Sequence, residues 1–440
     1  MTYRPRPVSG FPEHLPEIRM VELQMLDRIR AVFESYGFAS IETPSVEELE
    51  VLLAKGETDK EIYTIERLQA DEAASGDARL GLHYDLTVPF ARYVAQHFND
   101  LVFPFKRYQM QRVWRGERPQ AGRFREFTQC DVDVIGIDNL AVTFDAELAA
   151  VAMQALDAIG VKGVTLHISN RQILDGFLQA LGLAPAERTM TIRSIDAIHK
   201  IGPDATRSAI ADGLASTDRA QIADKCVKLA QITATDGSLA ERVRDLGIGC
   251  ENAVLTSGLA HLNEVMAHLR FLGTGNIVAD LSIARGFDYY TGTVYEGRFN
   301  DNPGFGSVVA GGRYDDLAGA FINKKLPGVG ISIGFSRLFA KLLQDKKIGA
   351  ARKSPADVLM ILPSEDRREH MLATAQTLRS RAIKVETYHA PQKIGRQIAY
   401  AEKKGIPFVW FPPFEDGQAH EVKDMASGSQ GPADALSWMP

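Results

Sequence analysis

A charged, aperiodic stretch, QDKKIGAARKSP at residues 344–355, divides the chain into two parts with different hydrophobic patterns, as a linker between domains does. Before it, β-prone runs from Leu101 to Val113 and from Arg123 to Ile135 flank the charged loop RGERPQAG, which predicts a long-looped antiparallel pair. Helical periodicity runs from Glu17 to Tyr36 and is stopped by Gly37. A strand is expected from Phe38 to Val46, with Pro44 confining it to an edge or an interface. Helices are expected at 144–159 and 171–181 around the strand-like VTLHIS, and residues from about 194 to 262 read as an inserted helical subdomain. Strand signals return at 277–283, 292–298 and 306–309, and a glycine-spaced strand at 328–334 leads into a helix from Ser336 to Leu343. Mostly antiparallel strands with helices gathered around them make an α+β core. Beyond the linker, strands at 357–362, 384–388 and 407–411 alternate with helices at 369–381 and 395–404, the pattern of a small parallel α/β domain. The expected domains are therefore 1–343, carrying the insertion at about 194–262, and 356–440.

At 440 residues the chain is longer than a single hydrophobic core usually grows, which agrees with that division. No apolar run approaches the roughly 18 residues of a membrane span. The N-terminal MTYRPRPVSGFPEHLPE has no apolar region behind its positive charges, which argues against a secretory signal. Cys130, Cys226 and Cys250 are far apart and suggest neither a disulfide framework nor a zinc site. These features point to the cytoplasm and to no membrane partner. The net charge of −6 does not announce a nucleic-acid binder, yet the stretch from Arg379 to Lys404 holds seven basic and two acidic residues, a patch suited either to phosphates or to a solvated helix face.

The chain contains no GxxxxGK[ST] phosphate loop, no GxGxxG opening a helix after a strand, and no HExxH or paired Cys/His spacing. Nucleotide binding would have to use arginines on a sheet. Three segments supply them: VWRGERPQAGRFREFTQCDVDVIG at 113–136, ARGFDYYTGTVYE at 284–296 and GVGISIGFSRLFAKL at 328–342. A guanidinium meets phosphate with a planar fork of donors and keeps its charge at any working pH.

These three segments resemble motif 2 of class II aminoacyl-tRNA synthetases, the histidine motif of the histidyl-tRNA synthetase family, and motif 3. The segment Ile41 to Val46 is similar to motif 1, which builds the dimer interface in that class, so the resemblance implies a homodimer. HYDLTVPFARYVA at 83–95 is similar to the family's amino-acid-binding segment, and EVKDMASGSQ at 421–430 to its C-terminal signature. The likeness runs from about Gly10 to Gln430.

It implies a class II catalytic domain followed by an anticodon-binding domain, with L-histidine, ATP and tRNA(His) as substrates and Mg²⁺ as companion of ATP. Arg115 would hold the α-phosphate, Glu117 the adenine amino group and Arg337 the γ-phosphate, with Arg123 a further ligand of ATP or of the tRNA end. Asp85, Thr87 and Gln129 would take the histidine ammonium, and Asp133 and Tyr290 the imidazole. Tyr289 would complete the pocket and Arg285 would bridge the substrate carboxylate and the α-phosphate. His83 stands where many relatives carry arginine, and His199 where an aspartate usually precedes Lys-Ile-Gly. The rival implication is a non-catalytic synthetase-like regulatory subunit of ATP phosphoribosyltransferase. That relative lacks the anticodon-binding domain and degrades the histidine motif, and this chain retains both.

Overall fold

The computed structural model describes residues 4–54, 62–66, 79–120, 122–247, 252–284, 286, 290–316, 318–349, 352–415 and 417–440. Internal contacts divide the chain into two compact units, Met1–Pro12 with Asp27–Lys341 and Glu13–Leu26 with Leu342–Pro440. The helix Pro16–Ser35 runs across this division.

Among the described residues, twelve strands belong to the first unit: β1 (Ala39–Ser40), β2 (Val46–Glu48), β3 (Thr64–Ile65), β4 (Leu80–Leu82), β5 (Phe105–Trp114), β6 (Glu126–Ile135), β7 (Val164–Asn170), β8 (Thr233–Ala234), β9 (Ile277–Asp280), β10 (Thr293–Phe299), β11 (Val309–Tyr314) and β12 (Gly328–Ile333). Nine of them form one sheet in the order β1-β5-β6-β12-β11-β10-β7-β9-β8. Among the described residues only β1–β5 and β7–β9 pair in parallel there. The expected α+β core is present, with an antiparallel-rich sheet at its centre. Pro44 does what its missing N–H requires: the expected strand 38–46 is two short ones, β1 and β2, with the proline between them.

The β5–β6 hairpin is the longest pairing, in register from Phe105↔Ile135 to Trp114↔Glu126. Side chains alternate along β6, so Cys130, Val132 and Val134 are buried on one face while Gln129, Asp131 and Asp133 share the other. Helix Thr143–Ala158 supports the sheet through Asp145, which is fully buried and ion-paired with Arg313 of β11. Burial pushes the Asp145 carboxyl up, but hydrogen bonds from His261 and Arg313 outweigh it and hold it below the usual carboxylate range.

In the region expected to be helical lie the helices Pro185–Asp196, Ile198–Ile201, Pro203–Gly213, Arg219–Ala230 and Leu239–Arg244. Its expected limits, 194 and 262, fall inside the helices Pro185–Asp196 and Ala253–Phe271. The subdomain also supplies β8 to the edge of the main sheet, beside β9.

In the second unit, β13 (Val358–Met360), β14 (Val385–Thr387), β15 (Phe408–Phe411), β16 (His420–Asp424) and β17 (Gln430–Ala433) form a sheet in the order β14-β13-β15-β16-β17. Helices Arg368–Ser380 and Ile394–Lys404 connect the first three. Val358, Met360 and Trp410 pack with Met371 and Leu378, whereas Leu359, Ile361 and Val409 pack with Ala401 and Ile406, giving apolar clusters on both faces. The wholly parallel expectation needs correcting: β13 is parallel to both neighbours, but β16 and β17 extend the sheet antiparallel.

Candidate active site

One face of the central sheet collects the chemistry. On β6, Gln129, Asp131 and Asp133 follow one another at the two-residue spacing of a strand. On β12, Ser332 lies opposite Asp131 and Gly330 opposite Asp133. On β11, Ala310 lies opposite Ser332 and Gly312 opposite Gly330. The glycines have a steric reason: a Cβ on Gly330 would collide with the Asp133 carboxylate, and one on Gly312 with the Tyr290 ring.

Two neighbouring cavities open on this face and share Ala310 and Ser332. The larger, about 210 Å³, is lined by Arg115, Glu117, Arg123, Phe127, Gln129 and Arg337 among others. Arg115 donates from Nε to the Tyr84 carbonyl at 3.0 Å, lies 3.8 Å from Glu117, and has its guanidinium 5.2 Å from the Phe127 ring centroid. Arg123 donates to Glu117 at 3.2 Å, and Arg337 donates to the Gly122 and Ser307 carbonyls, each at 2.9 Å. The guanidiniums are thus oriented largely by neutral carbonyls and by one shared carboxylate, which leaves the cavity cationic.

The smaller cavity, about 30 Å³, is lined by Thr87, Asp131, Asp133, Tyr290 and Tyr314, together with backbone of β11 and β12. Arg107 of β5 is fully buried, faces Asp133 across the hairpin at 2.7 Å, and lies 4.1 Å from the Phe90 ring centroid. The Tyr314 hydroxyl donates to the second Asp133 oxygen at 3.1 Å. Burial pushes the Tyr314 phenol well up, and the charge of Asp133 adds to that. Burial likewise pushes the Asp131 carboxyl up to about 7; the neighbouring Asp133 raises it further while Arg107 and a hydrogen bond with Ser332 oppose the rise.

Most of the residues singled out from sequence converge here. Arg115, Glu117, Arg123, Gln129 and Arg337 line the larger cavity, and Thr87, Asp133 and Tyr290 the smaller one. Asp85 lies just before the helix Thr87–Gln96 and accepts the Val88 backbone N–H at 3.0 Å. Arg285 and Tyr289 lie outside the described residues. Sequence reasoning passed over Asp131, Ser332, Arg107 and Tyr314. The two-residue period between Gln129 and Asp133 was the signal that could have found Asp131.

Of the two departures, His83 is fully buried, with Nε2 2.7 Å from the Arg112 carbonyl, and burial lowers its pKa. His199 sits 2.7 Å from the Ser282 hydroxyl, which donates to Asp280, which in turn contacts His167 at 2.8 Å. This polar chain ties the helical subdomain to β7 and β9.

A family profile described as Histidyl-tRNA synthetase matches residues 10–338, and one described as Anticodon binding domain matches 357–434. The histidine–tRNA ligase of Thermobifida fusca is 58% identical, the alignment covering 99% of this chain and 98% of that protein. The crystal structure of histidyl-tRNA synthetase from Nostoc sp. PCC 7120 superposes with a TM-score of 0.88 at 36% identity, covering 99% of this chain and 98% of that one. An ATP phosphoribosyltransferase regulatory subunit/histidyl-tRNA synthetase from Bacillus halodurans shares the fold, with a TM-score of 0.72 at 22% identity over 88% of this chain and 93% of its own. With full-length likeness and both profiles in chain order, the chain belongs to the histidyl-tRNA synthetase family.

Proposed function

We infer that the chain is a histidine–tRNA ligase that activates L-histidine with ATP and then loads it onto the 3′ end of tRNA(His). The observation that carries this reading is the pair of adjoining cavities, one cationic and one anionic, on a single sheet face. ATP brings negative charge to the first. The ammonium and ring N–H groups of histidine suit the second.

In the first step a histidine carboxylate oxygen forms a bond to the α-phosphorus, the bond to the bridging oxygen breaks, and pyrophosphate leaves. In the second, the terminal ribose hydroxyl of the tRNA attacks the acyl carbon and AMP departs. Charge builds on the α-phosphate in the first step, so fixed cations already aimed there lower the barrier. Arg115 takes that role, with Arg285 bridging the carboxylate and the α-phosphate, Arg337 holding the γ-phosphate, Glu117 meeting the adenine amino group and Arg123 assisting. Asp85, Thr87 and Gln129 receive the ammonium, Asp133 and Tyr290 the imidazole, and Tyr289 completes the pocket.

Among the described residues lining the larger cavity, Glu117 is the sole carboxylate, and no group of three or more His, Cys, Asp or Glu side chains is placed to hold a metal. That donor set does not form a protein cage for Mg²⁺. Residues 356–440 act as the anticodon-binding domain, supported by their match to that profile and by the basic stretch from Arg379 to Lys404. Residues 1–343 form the catalytic domain and 344–355 the linker. The assembly is a homodimer through the segment Ile41 to Val46, and the compartment is the cytoplasm; among the described residues no helix is long and apolar enough to cross a membrane. The regulatory-subunit alternative is not favoured, because the chain carries a match to the anticodon-binding profile and RGFDYYTGTVYE is intact. Exchange of labelled pyrophosphate into ATP tests the assignment: it should depend on histidine and on no other amino acid, and an enzyme inert with histidine would refute it.

A further inference from the structure

The floor of the smaller cavity holds two carboxylates with unequal commitments. Both oxygens of Asp133 have partners, Tyr314 on one and the buried Arg107 guanidinium on the other. Asp131 is 4% exposed, yet its Oδ1 is buried and, among the described residues, has no hydrogen-bond partner. A buried acceptor without a donor is costly, and sites that tolerate one commonly supply the donor with the ligand.

Position on the strand narrows what that donor is. Gln129 and Asp133 are separated by about 13 Å of extended chain, at roughly 3.3 Å per residue, with Asp131 midway between them. Any substrate addressed from both ends of this face therefore passes over Asp131. Asp131 also lines the small cavity together with Asp133 and Tyr290, whereas Gln129 lines the larger one. Asp131 thus belongs with the ring end of the substrate.

We propose that Asp131 is a further specificity-determining residue, its Oδ1 accepting a ring N–H of histidine beside the Asp133–Arg107 pair. The proposal rests on the histidine reading above and deepens it. The charged and titratable groups around Asp131 are Arg107 from β5, Asp133 from its own strand, Asp85 ahead of the helix Thr87–Gln96, Tyr314 from β11, and Tyr290 in the cavity wall. Arg107 is the one cation among them in the described residues and already faces Asp133. A second carboxylate beside it has reason to receive a donor from outside.

The test is pyrophosphate exchange by the full chain at pH 8, with histidine and ATP varied in turn. Asp131→Asn removes the charge at nearly constant shape. Replacing a charged acceptor with a neutral amide, whose NH2 group also competes for the position, should raise the KM for histidine about 10-fold, with kcat and the KM for ATP little changed. The ionised Asp131 carboxylate accepts more strongly than the protonated acid, so acidification below about pH 7 should weaken histidine use more steeply in the wild type than in Asp131→Asn. Asp131→Ser, which removes both carboxylate oxygens without added bulk, should give the same KM split and serves if the Asn variant fails to fold. An unchanged histidine KM, equal rises in both KM values, or identical pH profiles would overturn the proposal. A wild-type chain without histidine-dependent exchange would remove the underlying reading as well, whereas an active wild type with an indifferent variant removes this one alone.

Discussion

The two cavities on the sheet face meet charge in opposite ways. In the larger one the guanidiniums are partly open to water, Arg115 with 30% and Arg123 with 52% of the side chain exposed, and carbonyl oxygens of Tyr84, Gly122 and Ser307 orient Arg115 and Arg337 without neutralising them. In the smaller one the charges are inside the fold: Arg107 is 0% exposed, and Asp131 and Asp133 are each 4% exposed. Solvent screens an exposed cation, so it adds little to stability and remains available for a phosphate. A buried carboxylate cannot be exchanged that way, because its charge must be balanced within the core. The difference teaches that changes in the first cavity should appear mainly in the reaction, and changes in the second also in folding.

The sharpest way to break that contrast is Arg115→Ala. Removing a preoriented cation from the α-phosphate should slow single-turnover adenylate formation by on the order of 10²–10³ while the melting temperature barely moves. A large loss of stability with normal adenylation would invert the comparison. Arg107→Leu should do the reverse, since it leaves two carboxylates buried without their cation, a loss of about 3–5 kcal/mol at pH 8 in denaturant unfolding. The orphaned carboxylates should then titrate higher, so the deficit shrinks as the pH falls and they protonate. A deficit independent of pH would assign Arg107 to packing alone.

Much of this arrangement was legible in the sequence, and its gaps have physical causes. The β5–β6 hairpin announced itself because two long β-prone runs flank a charged loop, and each contains or nearly contains the ten-residue strand that forms. Tyr290 and the motif arginines were recognisable as segments. Arg107 and Tyr314 were not, because their meaning depends on register: Arg107 faces Asp133 only once β5 and β6 pair, and Tyr314 reaches it from β11 across β12. The strand expected at 306–309 is found at Val309–Tyr314, after a 3₁₀ turn at Pro303–Phe305. Its two glycines weaken the strand signal, yet Gly312 is what admits the Tyr290 ring. β16 was missed because all five of its residues are half-buried, which leaves no alternation to detect.

Asp131 sharpens the comparison through pH. Its carboxyl is pushed up to about 7 in the fold, against about 3.9 in an unfolded chain. The folded state therefore binds the proton more tightly, and the stability linked to it is present below about pH 4 and lost as the pH rises towards 7. Asp131→Asn does not titrate, so it should match the wild type below about pH 4 and exceed it by a margin that grows up to about pH 7, on the order of a few kcal/mol at pH 8. Thermal melts of the two proteins across this range decide it, and an Asn variant less stable at pH 8 would contradict the assignment of Asp131 as a carboxylate that burial holds against ionisation.

The smallest structural effect is expected at Arg123, and there the two cavities separate most cleanly. Its ion pair with Glu117 is 3.2 Å long, but half of the arginine side chain is in solvent, and exposed pairs of this kind contribute a median of roughly 0–1 kcal/mol. Arg123→Ala should therefore leave the unfolding free energy within about 0.5 kcal/mol of the wild type. Functionally, Arg123 shares Glu117 with Arg115 at the cavity wall, so its loss removes one of several cations that draw in ATP and frees Glu117 to lean towards Arg115. A several-fold rise in the KM for ATP with kcat nearly unchanged is the expected result, the signature of binding that is equal in the ground and transition states. Added salt should narrow the gap between variant and wild type, because the lost attraction acts through solvent. If kcat fell by the same factor as for Arg115→Ala, Arg123 would belong to the charge that forms only at the transition state, and the larger cavity would hold two such cations where its geometry supplies one oriented by the Tyr84 carbonyl.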